Sequence, residues 1–69
     1  MENRIETFRT EKGWTQQELA DRVGVSRQTI ISLERGRYNP SIGLAFRLAR
    51  TFGIQIEDLF TYTEEDDHE

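Results

Sequence analysis

Arg27, Gln28, Ile31, Ser32 and Arg35 recur at a spacing that brings them to one side of a helix. With Arg27 at zero and ~100° per residue, Ile31 falls near ~40°, Arg35 near ~80°, Gln28 near ~100° and Ser32 near ~140°. Ile30 and Leu33 fall near ~300° and ~240°, on the opposite side. One face is apolar and suited to a core. The other carries groups that read base edges in a DNA major groove. Arg can hold O6 and N7 of guanine with two hydrogen bonds, Gln can do the same for N6 and N7 of adenine, and an apolar group can meet a thymine methyl. Arg27, Gln28, Ile31 and Ser32 are therefore the candidate base contacts. Ile31 has a competing reading, in which it leans onto a neighbouring helix.

Thr29, Arg35, Arg37, Tyr38 and Asn39 flank that face and offer hydroxyl, guanidinium and amide groups to backbone phosphates. Arg22, Arg47 and Arg50 add steering charge. The net charge of −4 argues at first against a nucleic-acid partner, but its distribution reverses that. Residues 22–50 hold six arginines against the single acid Glu34, a balance of +5, and residues 64–69 hold five acids and no Lys or Arg. The local field around the candidate reading helix is positive. The ordinary alternative is a solvated arginine face.

Little else in the chain has the makings of chemistry. There is no cysteine, which removes disulfides and thiolate metal sites, and the one histidine is His68. No histidine stands beside a nucleophile, and no glycine loop cradles a phosphate. Neither an enzyme nor a cofactor is expected. The acidic run from Glu64 to Glu69 reads as solvated and disordered rather than as a metal site. No apolar run approaches the roughly 20 residues of a membrane span, and no signal peptide is recognisable, so the expected location is the cytoplasm.

The elements that must position the reading face are written in local signals. Thr15-Gln16-Gln17-Glu18 is a capping box, and Trp14 and Leu19 stand where a hydrophobic staple would fix the entry angle. Leu19, Ala20 and Val23 recur at helical spacing, Gly24 suits a left-handed helix end, and Ser26 caps the next helix. The span 15–34 is a helix-turn-helix. Before it, Asn3 is expected to cap a first helix with Ile5 and Phe8 facing inward, ended at Gly13. After it, Ser41 caps a fourth helix whose apolar set is Ile42, Leu44, Ala45, Leu48, Ala49 and Phe52, stopped at Gly53. A short fifth helix is expected over Ile56–Phe60, with Gln55 a poor cap. Thr61, Tyr62 and Thr63 suit an extended strand. The whole is one all-α, five-helix domain over residues 1–63 with an acidic tail at 64–69.

The segments T-Q-Q-E-L-A, G-V-S-R-Q-T-I and E-R-G-R-Y-N-P-S resemble the lambda-repressor-like helix-turn-helix regulators, in particular the short dimeric subgroup that includes the cytolysin repressor. The resemblance covers roughly residues 3 to 60. It implies a five-helix DNA-binding domain and assigns three residues that spacing alone does not. In F-R-T-E-K-G, Arg9 corresponds to an arginine paired with the counterpart of Glu34, which implies a structural ion pair Arg9–Glu34. Gln16, heading the second helix, corresponds to a glutamine placed against the DNA backbone.

The expected function is sequence-specific transcriptional regulation, as a repressor, by a homodimer on a palindromic stretch of double-stranded DNA. One recognition helix supplies too little contact for tight specific binding, and a two-fold dimer doubles it. The expected dimer surface is Asn39 with Ile54, Ile56, Leu59, Phe60 and Tyr62, the competing reading being that these fill the core of one chain. Two other classes remain open: an antitoxin-like or adaptor protein that also holds a regulatory protein partner, and an interaction module without DNA binding.

Overall fold

The computed structural model describes residues 2–37 and 39–61. Thr15 shows why the second helix starts where it does. Its Oγ1 accepts the Glu18 N–H at 3.0 Å, and its own N–H donates to Glu18 Oε1 at 3.0 Å, closing the capping box. The helix runs over Gln16–Val23 (α2) and ends at Gly24, whose φ of 75° is a conformation that a side chain would resist. The N–H groups of Gly24 and Val25 both return to Ala20 O, at 2.9 and 3.0 Å, so the chain turns sharply. Ser26 Oγ then accepts the Thr29 N–H at 3.1 Å and launches Arg27–Glu34 (α3). The remaining helices are Ile5–Glu11 (α1), Ile42–Phe52 (α4, capped by Ser41) and Ile56–Leu59 (α5).

These helices close around Ile5, Leu19, Ile30, Leu33, Leu48 and Leu59, all fully buried. Phe52 joins the aromatic side of the core, its ring 5.8 Å from both Phe8 and Trp14, with Trp14 stacked at 22°. The Arg22 guanidinium lies 4.2 Å over the outer face of Trp14, a cation–π contact that holds α2 against the α1–α2 corner.

Several sequence expectations are corrected. Asn3 does not occupy the cap position of α1, which is Arg4. It lies in a two-residue strand, Glu2–Asn3 (β1), antiparallel to Phe60–Thr61 (β2), with Glu2 opposite Thr61 and Asn3 opposite Phe60. Its Oδ1 still accepts the Ile5 N–H at 3.1 Å, from one residue further out. The last helix ends at Leu59 because Phe60 is already extended, at φ −119°. The strand thus begins one residue earlier than expected, and Tyr62, Thr63 and the acidic run 64–69 lie outside the described residues. Gln55 is supported from the other direction, its N–H donating to Asp58 Oδ2 at 3.2 Å.

Ile42 is the clearest reversal: expected inward, it is 75% exposed. Leu44, Ala45, Leu48, Ala49 and Phe52 define the buried arc of α4, and Ile42 falls ~90° from its middle, beside Phe46.

Candidate nucleic-acid interface

α3 packs on α2 through Ile30 and Leu33, both fully buried, so its opposite face is fixed outward. Arg27 and Gln28, in the first turn, are exposed, and among the described residues neither side chain is bonded to another. Ile31 and Ser32 are half-exposed on the same side. Thr29 is less available than expected: its hydroxyl shares a 2.9 Å hydrogen bond with Ser26 Oγ, which reinforces the helix start. Arg35 closes α3 at its C-terminal end, and Arg37 and Asn39 are exposed in the linker beyond. Tyr38 lies outside the described residues.

The far end of α3 is held by charge. Arg9 Nε donates to Glu34 Oε2 at 2.7 Å and Arg9 Nη2 to Glu34 Oε1 at 3.3 Å, while Nη1 reaches the Trp14 carbonyl at 2.9 Å. The two side chains are only 12% and 6% exposed. The hydrogen bond to Glu34 raises the Arg9 pKa above its ordinary value, so the guanidinium stays charged throughout the working pH range. Gln16 adds a third donor, its Nε2 lying 3.1 Å from Glu34 Oε1.

That contact bears on two expectations. The Gln16 amide, expected against a phosphate, is engaged with Glu34 in the free chain, while the start of α2 still faces out. Gln16, Ile31, Glu34 and Arg35 line one shallow depression, which places Ile31 beside the head of α2 and still half open to solvent.

Asn3 was missed as a contributor. Its Nδ2 donates to Leu33 O at 2.7 Å, a second donor on a carbonyl near the end of α3 that also accepts the Gly36 N–H at 3.0 Å. Arg4 N–H donates to Leu59 O at 2.8 Å next to it. The paired chain ends thus brace the reading helix, a relation between residues about 30 positions apart for which local sequence carries no signal.

The expected dimer residues separate. Leu59 is fully buried within the single chain, in keeping with the competing reading that it fills the core. Phe60 is half-buried against the same core, and Asn39 lies in the linker. Ile54 and Ile56 come together in an open groove at the α4–α5 corner. Tyr62 lies outside the described residues.

A family model described as helix-turn-helix matches residues 5–59, which spans every helix of the structure. The chain belongs to this helix-turn-helix family, of the lambda-repressor-like kind. An uncharacterised helix-turn-helix-type transcriptional regulator of Archaeoglobus fulgidus is 53% identical over 66 residues, which cover 96% of this chain and 94% of that one. The immunity repressor protein of Bacillus phage phi105 is 40% identical over 53 residues, covering 77% of this chain and 37% of the repressor. Among solved structures, the N-terminal DNA-binding domain of SinR from Bacillus subtilis superposes with a TM-score of 0.76 at 31% identity, covering 88% of this chain and 90% of that domain. The chain is therefore a transcriptional regulator with a DNA-binding helix-turn-helix domain, in a family of DNA-binding regulators rather than enzymes. Among the described residues, no helix is long and apolar enough to cross a membrane.

Proposed function

We propose that this helix-turn-helix regulator acts as a repressor, binding a palindromic operator as a homodimer with α3 of each copy in the major groove. The observation that carries the reading is the placement of Arg27 and Gln28. Both are exposed in the first turn of a helix whose other face is locked into the core. Docking of this motif brings the N-terminal residues of the second helix to base edges. Arg27 and Gln28 read bases by paired hydrogen bonds, while Ile31 and Ser32 extend the contact along the groove.

Phosphates are held from the flanks, by Arg35, Arg37, Tyr38 and Asn39 beyond α3 and by Thr29 within it. On the α2 side, Gln16 contributes its backbone N–H at the positive end of the helix dipole. Its side chain stays with Glu34 or exchanges that bond for a phosphate oxygen. Likeness to a phage immunity repressor supports repression as the outcome. A two-fold dimer doubles the contact area that one small domain provides.

Binding selection from random duplexes tests this reading. Two inverted half-sites with centres about 34 Å apart, one turn of DNA, are the expected product. Enrichment of a single unrepeated site, or of no sequence, would contradict it. For repression, a reporter placed behind the selected operator should fall when the protein is supplied.

A further inference from the structure

The described chain ends beside the reading helix. β2 runs antiparallel to β1 with Thr61 opposite Glu2, so the residues after Thr61 leave past Glu2 and away from Arg4. Glu2 and Asn3 line one shallow depression together with Glu34, Arg35 and Gly36, at the C-terminal end of α3. Arg35 and Arg37 are exposed there, as is Arg27 at the other end of the helix. Among the described residues none of these three is paired with a carboxylate. Glu34 is turned inward onto Arg9 and leaves the outer side of α3 cationic. The eight residues after Thr61 include five acids, Glu64, Glu65, Asp66, Asp67 and Glu69, and no Lys or Arg. Eight residues span at most about 29 Å, more than twice the length of α3, which is about 12 Å.

We infer that the acidic C-terminal segment docks on the outer side of α3 in the free protein and competes there with DNA. Its carboxylates meet the guanidinium groups of Arg35 and Arg37 first and Arg27 last. Glu2 at the exit repels acids, but Glu64 stands three residues beyond Thr61, about 10 Å of chain, which carries it clear. Exposed ion pairs are individually weak. The tether compensates, because a short linker holds its acids near their partners at an effective concentration in the millimolar range. DNA offers a denser row of negative charge and displaces the segment, at a reduced affinity. The segment occupies the free protein, so it lowers the affinity for every duplex by the same factor and strips the weakest, non-specific sites first. The inference rests on the major-groove reading of α3 above and adds a competitor carried by the chain itself.

The test is a full-length variant with the segment neutralised (Glu64→Gln, Glu65→Gln, Asp66→Asn, Asp67→Asn, Glu69→Gln), compared with the wild type. Without DNA, the backbone amide resonances of Arg35, Gly36 and Arg37 should move between the two proteins, and those of α4 should not. On the selected operator at 50 mM salt, neutralisation should tighten binding about five- to tenfold, and the gain should shrink to about twofold or less at 300 mM. The same comparison in an Arg35→Gln/Arg37→Gln background separates docking from diffuse repulsion between the acids and DNA. Docking predicts that most of the gain disappears there. A gain of equal size in both backgrounds overturns the contact with α3. Unchanged resonances together with unchanged operator affinity overturn it as well, while the reading of α3 stands. Failure of both the wild type and the neutralised chain to bind any duplex overturns the reading of α3, and this inference with it.

Discussion

Arg9 Nε and Glu34 Oε2 meet at 2.7 Å, joining α1 to the last residue of α3 in a setting that is nearly closed to water. The same carboxylate accepts from Gln16, so three helices converge on one acid at the edge of the reading face. Removing either charge strands the other in a poorly solvated place, and that penalty decides the outcome more than the lost attraction.

Arg9→Ala is accordingly predicted to lower stability by about 3–5 kcal/mol, enough to unfold much of so small a domain. Urea unfolding followed by circular dichroism measures it. Arg9→Ala that unfolds like the wild type but binds DNA poorly would make Arg9 a DNA contact instead.

Leu59→Ala is predicted to cost about 2–5 kcal/mol of monomer stability, as core truncations do. Leu59→Asp should fail to fold. If Leu59→Ala keeps full stability and instead shifts the dimer equilibrium, the side chain serves an interface after all.

Gly43 lies in the first turn of α4, and a Cβ added there meets nothing within 4 Å. Gly43→Ala should therefore stabilise the fold by up to about 1 kcal/mol, through helix propensity and a less disordered unfolded chain. Thermal unfolding reads the gain. A gain in stability with a loss of operator affinity would mean that DNA or a second copy approaches the backbone closely at Gly43.

How far the sequence carried depends on the range of the interaction. The caps at Thr15, Ser26 and Ser41 and the turn at Gly24 need only three or four consecutive residues, and each is where local chemistry places it. The outward face of α3 was legible because helical periodicity separates Ile30 and Leu33 from Arg27 and Gln28. The Asn3 bond to Leu33 and the pairing of Glu2–Asn3 with Phe60–Thr61 depend on how the chain ends meet, which no local pattern encodes. Ile42 failed for a related reason. Hydrophobicity says that a residue prefers burial, and only the packed arrangement says whether room exists inside one chain.

The decisive measurement is a salt titration of DNA affinity for wild type, Arg27→Ala and Arg37→Ala, on the selected operator and on a duplex altered at one half-site base. Arg27→Ala is predicted to lose about 1–3 kcal/mol on the operator and to stop distinguishing the two duplexes at that base pair. Arg37→Ala should weaken both duplexes alike and flatten the salt dependence by about one unit of slope. Equal losses for Arg27→Ala on both duplexes would make Arg27 a phosphate contact and contradict the assignment of sequence reading to the first turn of α3.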